Sequence, residues 1–195
     1  DLGNLGLTEL PEELFGLTEL RGLNLGDTDA HFHRLVPNAL STIPASFNAL
    51  QSLETLSLCH NPIHDLGGLQ GLARLRSLDC SFTPLTDFHS LPQLPALRDL
   101  SCAVTAICDL SPLAAYNGLT TLVLVNTGIT DLSPLRSLIG LQQLDFSSTE
   151  VTDLGPLKGL TGLTSLSCNY SHRIRDLSPL DGLSQLIDLS LRNTS

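Results

Sequence analysis

Apolar and polar positions along this chain recur with one fixed step. Between Gly118 and Gly162, Leu119, Leu122, Leu124, Thr127, Ile129, Leu132, Leu135 and Leu138 are answered by Leu141, Leu144, Phe146, Thr149, Val151, Leu154, Leu157 and Leu160, each 22 residues on. Inside one step the L-x-L core, as in Leu122-Val123-Leu124, alternates like a short strand. The return path from Asp131 to Leu138, DLSPLRSL, suits a short helical turn, with Ser133 placed to cap it and Pro134 to take its first position. A unit of this size buries its apolar side only against neighbouring copies of itself. The pattern therefore predicts a right-handed α/β solenoid of about eight repeats. Short parallel strands form its concave face, slim 3₁₀ or irregular segments form the convex side, and curvature is gentle.

The same ruler runs along the chain, with strands predicted from Leu20, Leu53, Leu75, Leu97, Leu119, Leu141, Leu163 and Leu186. The first of these repeats opens with Leu20, Leu23, Leu25 and Thr28, but Leu53 follows Leu20 by 33 residues instead of 22. The register resumes at Leu40, Ile43 and Phe47, so residues 29–39, DAHFHRLVPNA, read as an inserted loop on the binding side. One residue more than the norm lies between Cys168 and Ile174, which predicts a bulge that pushes His172, Arg173 and Arg175 outwards. Residues 2–20 continue the pattern without a strand motif, and the last repeat stops at Ser195. The chain 1–195 thus reads as one domain cut in mid-repeat at both ends, part of a longer protein. Two polar columns accompany the leucines. Asn61, Thr83, Thr105, Thr127, Thr149, Ser171 and Thr194 are placed to satisfy backbone groups at the strand exit, and Asp65, Asp87, Asp109, Asp131, Asp153 and Asp176 to serve the turn before the convex segment.

Composition narrows the function. The net charge of −10 disfavours nucleic acid and anionic membrane as partners, although the six repeated aspartates make up much of the acid excess. Of the five cysteines, Cys80, Cys102 and Cys168 fall at inward apolar positions and read as small buried hydrophobes with free thiols. Without a paired-cysteine cap or an apolar spanning segment, a reducing, cytoplasmic setting is expected. His31, His33, His60 and His64 raise the question of zinc, but their spacing matches no closed ligand motif. Cys59 and His60 are adjacent on a strand and point apart, with no third group to orient them. No phosphate-cradling loop is present and Lys158 is the single lysine. The reading is a segment with no catalytic site, no metal and no cofactor.

The repeats LTTLVLVNTGITDLSPLRSLI and LQQLDFSSTEVTDLGPLKGLT resemble the 22-residue class of leucine-rich repeat found in bacterial internalins and in phosphatase-regulating proteins. That resemblance implies the solenoid and a role in protein binding, and leaves the ligand open. The opening LGLTELPEELFGLTEL is similar to the first repeats of the array in Roco proteins, which implies a regulatory arm of a cytosolic GTPase that dimerises through another domain. The alternative is an internalin-like surface adhesin.

The concave face is the expected binding surface, for a protein partner or another domain of the same chain. At the strand exits one column runs His60, Phe82, Val104, Asn126, Ser148, Tyr170, and beside it run Cys59, Ser81, Ala103, Val125, Ser147, Asn169. Most of these are small or polar, so Phe82, Ala103, Val104, Val123 and Val125 stand out as an apolar patch, flanked by His60 and Tyr170. Arg76, Arg98, Asp79 and Asp99 are expected to rim it or to pair with one another.

Overall fold

The computed structural model describes residues 1–26 and 36–194. Three-residue strands recur along it: β1 (Gly22–Asn24), β2 (Thr55–Ser57), β3 (Ser77–Asp79), β4 (Asp99–Ser101), β5 (Thr121–Val123), β6 (Gln143–Asp145), β7 (Ser165–Ser167) and β8 (Asp188–Ser190). They form one open parallel sheet in chain order. Its register is the sequence ruler itself, with Leu100 opposite Leu122 and Leu122 opposite Leu144. In β1 to β7 the central leucine is buried between two half-exposed or exposed neighbours, the alternation expected of a sheet with one buried face, whereas Leu189 at the centre of β8 is exposed.

The core is a single file of leucines closed on the convex side by 3₁₀ turns. Leu119, Leu122, Leu124, Ile129, Leu135 and Leu138 are all fully buried, and Phe47, Phe88 and Phe146 fill the widest slots. The convex turns include Ser111–Ala115, Ser133–Ser137 and Gly155–Gly159, each with proline near its start, where the absent N–H costs nothing. Ser133 does not cap its turn, because it already stands inside it. The Asp131 carboxylate accepts the Ser133 N–H at 2.8 Å instead. Asp65, Asp87, Asp109, Asp153 and Asp176 make the same bond two residues on. These bonds hold the Asp87, Asp109, Asp131 and Asp176 carboxyls below their ordinary pKa.

The second polar column lies inside. Thr83, Thr105, Thr127 and Thr149 donate to carbonyls of their own strand exits, those of Cys80, Cys102, Leu124 and Phe146, at 2.6–2.8 Å. Asn61 does more. Its amide donates to the Leu58 carbonyl and also to that of Leu25 in the preceding repeat, while its oxygen accepts the Leu40 N–H. Asn38, read from the sequence as part of the insertion, fills the equivalent place one repeat earlier. It is buried, donates to Leu2 and Leu25 and accepts from Leu5 and Leu7. The regular array therefore resumes at Asn38, two residues before Leu40, and the part of the insertion at 29–35 lies outside the described residues.

Two further features refine the sequence reading. Leu2 N–H donates to Asn24 O as Leu25 N–H donates to Ser57 O, so residues at the very start already form the exit of a strand position beside β1. Tyr116 takes a leucine position in the core, and its hydroxyl donates to the Leu91 and Pro92 carbonyls of the preceding repeat, while burial pushes its pKa up to about 12. The bulge expected before Ile174 is present as a turn in which Ile174 N–H reaches Ser171 O. Arg173 there pairs with Glu150 at 2.8 Å, and His172, Arg173 and Arg175 are exposed.

Candidate functional site

The strand exits carry the most distinctive geometry on this molecule. Sheet-like bonding continues past each three-residue strand, through Cys80 N–H to Ser101 O and Phe82 N–H to Ala103 O, and then the chain swings inwards. The swing is made by one residue per repeat in the left-handed region: His60, Phe82, Val104, Asn126, Ser148, Tyr170 and Asn193, with φ between 52° and 59°. Asparagine suits that backbone. A β-branched or bulky side chain there is an outlier, because its Cβ crowds the following carbonyl. The outer column of the sequence reading is thus a rim of turn residues at the edge of the concave face, and the periodicity could not reveal its backbone.

On that rim Phe82 and Tyr170 are about half exposed, at 48% and 51%. The His60 ring lies on Phe82, with centroids 4.2 Å apart and planes 12° from parallel. Ala103 and Val104 in the next repeat, and Val123 and Val125 in the one after it, are partly exposed. The inner column is less accessible than the sequence reading had it: Cys59, Ser81 and Ser147 are buried. Ser81 bonds Ser101 at 2.8 Å and Ser147 bonds Ser167 at 2.9 Å, so these hydroxyls are spent on neighbouring repeats.

Arg76, Arg98, Asp79 and Asp99 do not pair with one another. Arg76 reaches Glu54 at 3.9 Å, and Arg98 donates to the Leu97 carbonyl at 2.9 Å. The Asp79 carboxylate accepts the Ser81 N–H and that of Asp99 accepts from Thr120. The two arginines precede β3 and β4 and so mark the strand entries, at the opposite edge of the sheet from Phe82. Among the possible metal ligands, His60 is engaged with Phe82, and His31 and His33 lie outside the described residues. No group of three or more His, Cys, Asp or Glu among the described residues is placed to hold a metal ion. No helix among the described residues is long and apolar enough to cross a membrane.

A family profile for leucine-rich repeats (two copies) matches residues 51–93, 117–159 and 139–182, together more than half of the chain. The chain belongs to the leucine-rich repeat family. Among solved structures it is similar to the internalin InlF of Listeria monocytogenes, with 31% identity and a TM-score of 0.75 over 81% of this chain and 46% of that one. Internalin C2 of the same organism shares 30% identity over 75% of this chain and 74% of that one, with a TM-score of 0.66. The TLR13–ssRNA13 complex matches 96% of this chain and 34% of that one, with a TM-score of 0.68 at 21% identity, which is a likeness of fold. No curated protein sequence matches the chain. This leucine-rich repeat chain thus spans less than half the length of InlF, and 414 solved chains match its architecture. A fold used so widely identifies an interaction scaffold and leaves the ligand to the exposed residues.

Proposed function

We propose that this leucine-rich repeat chain is a protein-binding arm that takes its partner on the exit rim and the adjoining concave face. Phe82 and Tyr170 act as anchors, with His60, Ala103, Val104, Val123 and Val125 as the surrounding contact. The observation that carries this reading is the placement of Phe82, Val104 and Tyr170 at positive φ, where Asn126 and Asn193 serve the fold with less crowding. Strain of this kind persists where function requires the side chain, and an exposed apolar patch is a common mark of an interface. Arg76, Arg98, Asp79 and Asp99 lie at the entries and along the floor of the same face and orient the partner by charge.

The opening LGLTELPEELFGLTEL and the free thiols favour an arm of a cytosolic Roco-type GTPase, in one domain of a longer, dimeric protein. The 31% identity to an internalin favours an exported adhesin instead. Fractionation of cells that make the protein separates these two settings.

Cross-linking from position 82 in the same cells identifies what covers the rim. Phe82→Asn with Val104→Asn then weakens that complex by more than about 2 kcal/mol, while the melting temperature holds or rises. A double variant that melts several degrees lower places the two side chains in the core and removes the proposal.

A further inference from the structure

The sulfurs of Cys80 and Cys102 lie 3.0 Å apart in the core. Both residues are fully buried. They follow β3 and β4 directly, in the register that sets Asp79 beside Ser101, and Cys80 N–H donates to Ser101 O at 2.9 Å. Neighbouring strands of a sheet run about 4.8 Å apart, inside the Cα separation that a disulfide spans. In other repeats the same inward slot holds Leu58, Leu124 or Phe146, which fill it with bulk, or Cys168, whose neighbour in the slot before it is Phe146. Here two thiols face each other across the repeat boundary.

We propose that Cys80 and Cys102 form an inter-repeat disulfide site, closed by exchange with a small disulfide oxidant such as oxidised glutathione and open in a reducing compartment. One cysteine, as thiolate, attacks the oxidant RSSR, forms a mixed disulfide and expels RS⁻. The other thiolate then attacks the protein sulfur of that mixed disulfide and expels the second RS⁻. The two cysteine protons end on two RSH, the oxidant gains two electrons and the pair loses two.

Burial, with Cys80 alongside, pushes the Cys102 thiol well up, and no small disulfide reaches either fully buried sulfur in the folded chain. Closure belongs to folding or to transient opening of the strand exits, and the same burial then shields the bond from reductant. Phe82 and Val104 each follow one of these cysteines by two residues. The bond therefore ties together the two repeats that carry the centre of the proposed rim.

The test refolds the reduced, denatured chain in a buffer of reduced and oxidised glutathione, alkylates it in denaturant and maps the peptides. A single linkage between Cys80 and Cys102, in a product that melts several degrees above the reduced chain, is the expected result. Five alkylated cysteines overturn the proposal. So does a linkage through Cys59, Cys108 or Cys168, or a closed form that melts below the reduced one.

Discussion

At the scale of single residues, the ladder at the strand exits shows how one side chain fixes two repeats. Thr127 satisfies the Leu124 carbonyl within its own repeat, whereas Asn61 joins Leu25, Leu40 and Leu58. Each buried partner left unpaired costs about 1–3 kcal/mol. Asn61→Ala is therefore expected to lower stability by several kcal/mol, to about twice the loss from Thr127→Val or more, measured by urea unfolding. Equal losses show that the bond from Asn61 to the preceding repeat contributes nothing. The importance of Asn61 was legible in the spacing, since asparagine recurs where threonine stands later. Asn38 was equally legible, because it precedes Leu40 by the same two residues that separate Asn61 from Ile63. The length anomaly between Leu20 and Leu53 hid it. The left-handed backbone of Phe82 and Val104 was not legible, since neither residue type announces positive φ.

At the scale of elements, strand and convex turn were both predicted, and the capping chemistry was displaced by two residues. The aspartate before each turn, not the serine within it, accepts the exposed backbone N–H. This choice ties the turns to acidity. A carboxylate whose pKa is lowered by a bond made only in the folded chain stabilises it fully above the ordinary value of 3.8, and that contribution is lost as pH falls through the lowered value. Melting temperature is accordingly expected to drop on acidification below pH 3.8, with the losses from Asp87, Asp109, Asp131 and Asp176 adding together. In Asp131→Asn the side-chain carbonyl still accepts the Ser133 N–H but no longer titrates. Thermal melts across that range should show a shallower decline for the variant, and an unchanged slope would remove Asp131 from the account.

At the scale of the whole molecule, each repeat touches only its neighbours, so damage is local in origin and shared in effect. Leu122→Ala removes a fully buried side chain between β4 and β6 and is expected to cost about 2–5 kcal/mol. Hydrogen exchange should quicken first in β4, β5 and β6 and last at β1. Uniform quickening along the chain would mean that the stack melts as one block. The leucine period carried this level of organisation in full, because a repeat without neighbours has no core. The identity of a partner was never in the period, which describes the inside of the stack.

The rim can also be considered as a measuring stick. Its residues recur once per strand, so Phe82, which follows β3, and Tyr170, which follows β7, are four strand spacings apart. At about 4.8 Å per spacing that is about 19 Å, close to the length of a straight helix of about thirteen residues. A partner that engages both aromatic side chains at once must present two apolar knobs at that distance on a surface too stiff to fold back on itself. A shorter peptide reaches one of them and leaves the other in water.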